Sequence, residues 1–321
     1  MKKKLLPVLI LFGLSFIGFS EEKSELYAIV NLSVCNIRST PSFSAEMVTQ
    51  ALEGTPVHVL GKDGWYNIMT PEGYTGWVHP AGIHLMTKEQ YSKWNSSEKV
   101  VITSLSAISH CRKSSDSPVV SDLVGGDRLL YLGEKGRYFK VGYPDGREGF
   151  VSKKDGMRES KWRKTLDSSA DAIIATARSM NGFPYLWAGM SPKGMDCSGF
   201  VRTVLFMHDI IIPRDASQQA PKGERIIISD DFSNLEKGDL LFFGKRGVDG
   251  SKDKVSHVAI YIGGKRFIHS LGSVREASLD PEDPDYDESD HKRLLYASRI
   301  LPYINIEEGL ETTLTNSFYN E

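Results

Sequence analysis

Hydrophobic positions follow two different periods along the chain, and the change between them divides it. Over 26–158 short apolar runs are broken by turn residues at close intervals, the pattern of small all-β barrels. Two stretches, 26–90 and 98–158, echo one another. The first holds Asn36-Ile37-Arg38, Glu53-Gly54, Gly64-Trp65-Tyr66 and Gly73-Tyr74-Thr75-Gly76-Trp77-Val78, and the second Cys111-Arg112-Lys113, Gly125-Gly126, Gly136-Arg137-Tyr138 and Gly146-Arg147-Glu148-Gly149-Phe150-Val151. A shift of 73 (146 minus 73) superimposes their Gly-x-x-Gly-aromatic-Val endings. Beyond residue 165 helical spacing takes over. Ser168–Met180 sets Ile173, Ile174 and Ala177 on one face, and Phe200, Val201, Val204 and Leu205 repeat behind Asp196, a good N-cap, and Gly194. Strands follow: Leu240–Phe243, the alternating Ser256–Ile262 up to a Gly263-Gly264 turn, its hairpin partner Arg266–Ser270, and a last strand at Leu294–Ile300. This order predicts an α+β domain over 165–305, with 306–321 as a C-terminal tail.

Composition bounds this picture. With 321 residues, 40% hydrophobic and 25% charged, the chain can bury a sizeable core in two or three domains. A formal charge of -2 and the lack of a basic block argue against nucleic acid as a partner. The acidic stretch from Asp280 to Asp290 reads as a solvated loop without the register of a calcium loop. Eight histidines include no HExxH or clustered Cys/His spacing, so neither a metal nor another cofactor is expected. Lys2, Lys3 and Lys4 precede an apolar run from Leu5 to Phe19, which makes residues 1–20 a secretory signal peptide. That run is short for a membrane span, and no cysteine lies near its end for lipid attachment. The expectation is an exported, periplasmic or extracellular protein, free of the membrane once the signal is removed, and a monomer. Three thiols in an oxidising compartment leave at least one unpaired, best assigned to Cys197; Cys35 and Cys111 are expected as buried free cysteines.

Cys197 carries the candidate chemistry. It follows Asp196 at the start of the predicted helix, where unsatisfied N–H groups and the helix dipole favour a thiolate and are expected to lower its pKa. A buried structural cysteine is the competing reading. The strands supply two histidines, His257 and His269. A cysteine nucleophile needs a base, and the base needs a polar group to fix its tautomer, so Cys197, His257 and His269 match those three roles as a set.

The motifs DCSGF at Asp196–Phe200 and SHVAIYIG from Ser256, with a second histidine 12 positions on (269 minus 257), resemble those of the NlpC/P60 cysteine peptidases. The resemblance implies a papain-like fold, with Cys197 as nucleophile, His257 as general base and His269 as the orienting residue. The longer pattern YLWAGMSPKGMDCSGF followed by Pro213-Arg214-Asp215-Ala216-Ser217-Gln218-Gln219 is similar to the subgroup with N-terminal bacterial SH3 domains. That subgroup cleaves the γ-D-glutamyl to L-diamino-acid bond of peptidoglycan-derived peptides, and the barrels look like its SH3 domains, the first more than the second. The resemblance also implies substrate contacts at Tyr185 and Asp215, a polar contact at Ser198, and a groove wall formed by Tyr74 and Glu46 that admits only a free N-terminal L-alanine. From the residues alone, Asp215 equally reads as a turn cap or a partner of Arg214, Tyr185 as an aromatic packed beside Trp187, and Tyr74 and Glu46 as surface groups. Arg147 replaces Tyr74 in the second barrel, which suggests a spacer. One departure is Ala188-Gly189, where many relatives have two glycines. A general murein endopeptidase acting on intact wall, an N-acetylmuramoyl-L-alanine amidase and a non-catalytic wall-binding protein stand as alternatives.

Overall fold

The computed structural model describes residues 26–248 and 251–321, so the expected signal peptide lies outside the described residues. The repeat read from sequence is a repeat of topology. The first sheet runs Met47–Leu52, Val34–Arg38, Thr75–Val78, Trp65–Met69, Pro56–Asp63, Leu26–Val30, Ile83–Met86. The second runs Val119–Val124, Ser106–His110, Glu148–Ser152, Tyr138–Gly142, Arg128–Lys135, Lys99–Ile102, Gly156–Arg158, strand for strand the same order. Core positions repeat with it. Ala28, Val30 and Val57 of the first barrel correspond to Val100, Ile102 and Leu129, 72 positions on, whereas Ile68 and Val78 correspond to Val141 and Val151, 73 positions on. The extra residue lies in a hairpin turn, where Gly64 alone becomes Gly136-Arg137.

Between the barrels runs a helix, Lys88–Ser96, that the hydrophobic pattern does not announce. Thr87 and Gln90 close a capping box at its start, and only Tyr91 and Trp94 are buried, packed with Tyr27 and Ile29. At the junction of the three units, Leu52, Val124, Phe206 and Ile211 form one small apolar cluster. Beside them Arg128 lies 4.8 Å from the Phe206 ring centre and 5.5 Å from that of Tyr319, and pairs with Glu159 and Asp209 at 3.2 and 3.3 Å. The segment 306–321 is packed rather than trailing. Phe318 stacks on His58 with ring centres 4.1 Å apart, Tyr91 donates its hydroxyl to the Phe318 carbonyl at 3.0 Å, and Asn316 Nδ2 donates to the Pro71 carbonyl at 2.9 Å.

In the third unit, helix Ala170–Ser179 and the nucleophile helix Cys197–Phe206 pack on a sheet ordered Glu224–Ile226, Leu294–Arg299, Leu240–Lys245, Lys254–Gly263, Arg266–Leu271, Ser273–Ser278. Phe200, Val201 and Val204 meet Phe242, Val258, Ile260 and Ile268 in its main core. Two features depart from the sequence reading. The hairpin gains a third strand, Ser273–Ser278, and the acidic stretch is a solvated loop only up to Asp287: its end forms the short helix Glu288–Arg293, with Asp290 only 1% exposed. The expectation for Cys111 also fails, because its turn faces solvent; Cys35 is buried, and all three cysteines are free.

Candidate active site

The nucleophile helix begins where Asp196 leaves extended backbone. Asp196 Oδ1 accepts from the Gly199 N–H at 2.7 Å, which makes Cys197 the first helical residue. The loop in front of it packs backbone on backbone. A Cβ on Gly199 would sit 2.0 Å from the Gly189 carbonyl oxygen, and one on Gly189 would sit 2.3 Å from that of Gly194. Ala188 adopts φ +59°, a conformation that costs an alanine about 1 kcal/mol, and its N–H donates to Asp196 Oδ2 at 2.9 Å.

Asp196 is in turn gripped by Arg214, 1% exposed and thus among the most buried side chains in the protein. Its Nη1 and Nη2 donate to the two Asp196 oxygens at 3.1 and 2.7 Å, Nη1 also to Ser198 Oγ at 2.9 Å, and Nε to Thr49 Oγ1 of the first barrel at 3.1 Å. One guanidinium therefore ties the start of the helix to the barrel. Ser198 is occupied by this network although it borders the cleft.

The thiol does not behave as its helix position alone suggests. Burial and the adjacent Asp196 carboxylate push the Cys197 thiol up to about 11, outweighing hydrogen bonds from the Val258 and Ser198 N–H groups. Both effects favour the neutral thiol over the thiolate. Val258 directly follows His257, so the base stands one peptide away from the group that touches the sulfur. Burial against Phe243, ring centres 5.6 Å apart, together with the neighbouring His269, lowers the His257 imidazole to about 4.

His257 Nε2 lies 2.9 Å from His269 Nδ1. For Nδ1 of His257 to carry a free lone pair, its proton must sit on Nε2 and be donated to His269. Behind them Asp290 Oδ2 lies 3.4 Å from His269 Nδ1. Burial would raise the Asp290 carboxyl, but the neighbouring His269 and the Arg293 guanidinium bonded to Oδ1 hold it far below the usual carboxylate range, so a fixed negative charge faces the imidazole pair. His257, His269 and Asp290 also offer ligand atoms within 4.8 Å of one another. Two nitrogens sharing a proton at 2.9 Å fit a relay; an ion bound tetrahedrally at ~2.0–2.1 Å would force them apart.

Cys197 and His257 open into one cleft of about 380 Å³, bordered by Tyr185, Trp187, Ser198, Asp215, Val255, Ser256 and Arg293, and by Glu46, Val48 and Tyr74 of the first barrel. The barrel forms part of its wall. Trp187 Nε1 donates to Glu46 Oε1 at 2.9 Å, and the Tyr74 hydroxyl hydrogen-bonds the Asp215 carboxylate. Burial raises Asp215 above its ordinary value against the pull of Arg214. Tyr185, half-buried near the sulfur, is pushed up to about 12 by burial and stays a donor at neutral pH. The turn bearing Tyr74 is pinned from two sides, by Asn316 on Pro71 and by Arg202 of the nucleophile helix, 2.8 Å from Glu72.

Comparison with known proteins agrees with this architecture. Residues 182–289 match the NlpC/P60 family and residues 33–84 the bacterial SH3 domain. A gamma-D-glutamyl-L-lysine dipeptidyl-peptidase of Bacillus cereus is 33% identical over 245 residues, covering 74% of this chain and 71% of the relative. The chain belongs to the NlpC/P60 family. It is accordingly a cysteine peptidase. The protein of the same name from Bacillus subtilis is 32% identical, covering 69% of this chain and 71% of its own. A solved NlpC/P60 family structure from Bacillus cereus superimposes with a TM-score of 0.70 at 27% identity, covering 86% of this chain and all of that one.

Every site residue read from the sequence of this NlpC/P60 protein borders the cleft except His269, which stands behind His257. Asp215 is not paired with Arg214, whose fork is spent on Asp196. Sequence reasoning missed Asp290 and the bridging role of Arg214. The signal for Asp290 was available: Glu288, Asp290, Lys292 and Arg293 place acids first and bases last, as a short helix favours, directly before the last strand.

Proposed function

We propose that this chain hydrolyses the γ-D-glutamyl to L-diamino-acid bond of peptidoglycan-derived peptides whose leading L-alanine carries a free amine. The observation that carries the reading is the barrel-side wall of the cleft, where Asp215, hydrogen-bonded by Tyr74, and Glu46 offer carboxylates to an ammonium group. Relatives named for γ-D-glutamyl-L-lysine peptidase activity support it.

In the proposed mechanism Cys197 Sγ attacks the γ-carbonyl carbon as its proton passes to His257 Nδ1. Negative charge builds on the carbonyl oxygen, where backbone N–H groups at the helix start and the Tyr185 hydroxyl can donate to it. The resulting imidazolium gains stabilisation from His269 and the Asp290 carboxylate. His257 then protonates the leaving amine as the C–N bond breaks, and afterwards takes a proton from the water that opens the thioester. The residue pattern of 1–20 supports action outside the cytoplasm, periplasmic or extracellular. Among the described residues no helix is long and apolar enough to cross a membrane. The second barrel, wedged through Arg128 against Asp209, acts as a buttress.

The test is a matched pair of peptides, L-Ala-γ-D-Glu-diamino acid and its N-acetyl form. Acetylation removes the ammonium and leaves the pocket carboxylates unpaired, so kcat/KM falls by at least ~100-fold. Equal rates on both, or clearing of whole sacculi, would favour a general wall endopeptidase instead.

The pH profile is a second test. The reaction needs His257 unprotonated and the substrate amine charged, so kcat/KM rises as pH increases through the His257 value of about 4 and falls as the substrate's α-ammonium loses its proton at about 8. An acid limb centred at the ordinary histidine value of about 6.5 would show that His257 is not the desolvated base described.

A further inference from the structure

Asp215 meets Tyr74 and Glu46 meets Trp187 where the barrel borders the cleft, whereas Arg293 borders the same cleft beside His257 and Asp290. It is the one lysine or arginine among the described residues that line the cleft. Its side chain is 37% exposed, and Nη2 donates to Asp290 Oδ1 in a short contact. That bond sets the plane of the guanidinium but uses one of its five N–H donors, and Nε is buried without a partner. Arg293 ends the short helix Glu288–Arg293, and the next residue, Leu294, pairs with Phe243 in the sheet, so the group is presented from a rigid base. The cleft thus carries acids beside the barrel and a fixed, partly open cation beside the imidazole pair.

We propose that Arg293 binds the carboxylate of the leaving diamino acid and makes the enzyme prefer peptides in which that carboxylate is free. The inference rests on the function proposed above. With the L-alanine ammonium at Asp215 and the γ-carbonyl at Cys197, the leaving residue must extend away from the barrel, toward Val255, Ser256 and Arg293. A substrate with an ammonium at one end and a carboxylate at the other matches the charge order of the cleft, and a planar fork suits a carboxylate better than an ammonium point charge does. The α-carboxylate of D-glutamate is the other anion in the peptide. It branches from the residue being attacked, on the barrel side of the sulfur, and so lies away from Arg293.

Three substrates separate these cases: the free tripeptide, its form amidated at the diamino-acid carboxylate, and its form amidated at the D-glutamate α-carboxylate. For the wild-type chain, amidating the diamino acid lowers kcat/KM by about 10- to 100-fold, mainly through KM. In Arg293→Gln that ratio collapses toward one, in Arg293→Lys part of it returns, and the penalty for amidating D-glutamate stays as in wild type. The amidated tripeptide serves as control, because any disturbance of Asp290 slows both substrates together. Should the Gln variant fail to fold, product inhibition of wild type reads the same contact: the free diamino acid inhibits at least about tenfold more strongly than its carboxamide. An unchanged ratio in Arg293→Gln, equal inhibition by acid and amide, or an effect that follows the D-glutamate carboxylate overturns the assignment. Absence of cleavage of all three peptides by wild type would instead refute the proposed function itself.

Discussion

Replacing Cys197 by alanine leaves a folded protein that binds peptide and turns it over ~10⁴- to 10⁶-fold more slowly, the scale on which removal of a covalent nucleophile acts. Folding survives because the side chain is half-buried and its loss leaves only the Val258 and Ser198 N–H groups short of an acceptor beside an open cleft, a cost of about 1 kcal/mol. No second thiol can substitute. Cys35 is enclosed in the first barrel and Cys111 sits on the surface of the second. Mass analysis of the products from L-Ala-γ-D-Glu-diamino acid, with calorimetry for binding, checks both halves of the expectation. A purified variant within tenfold of the wild-type rate would remove Cys197 from the mechanism.

The second large effect concerns stability. Arg214→Ala strands the Asp196 carboxylate and the Thr49 hydroxyl in the interior, and breaking a buried ion pair from one side costs about 3–5 kcal/mol. Thermal unfolding should move down by on the order of 10 °C. Function falls with it, since Asp196 caps the helix that begins at Cys197 and Arg214 offsets the raised proton affinity of Asp215. Lysine cannot stand in, because a single ammonium cannot reach two carboxylate oxygens, Ser198 and Thr49 in the directions the planar fork does. A Lys variant with wild-type melting would refute the account of a bidentate anchor.

What was legible in the sequence were features set by neighbours a few residues apart. The helix behind Asp196 and the alternation through Val258, Ala259 and Ile260 are local patterns, and both elements formed where those patterns put them. The doubled barrel was legible because its core positions recur with its turns. Long-range pairing was not. Nothing near Arg214 in the chain distinguishes Asp196 from Asp215 as its partner; the choice is made when Thr49 arrives from a barrel 165 residues away. Asp290 was misread for the same reason, since an acid in a charged run looks solvated until His269 is folded over it. The thiol was misjudged because the helix dipole is one contribution among several, and desolvation, which depends on the assembled site, outweighs it.

The turn that presents Tyr74 has little freedom of its own, held as it is by Asn316 and Arg202. Selection for variants that tolerate blocked peptides would therefore tend to return changes at those two anchors, which lie 114 positions apart in the chain (316 minus 202) and do not border the cleft. The choice of what enters the cleft is written partly in residues whose only task is to keep a neighbour still.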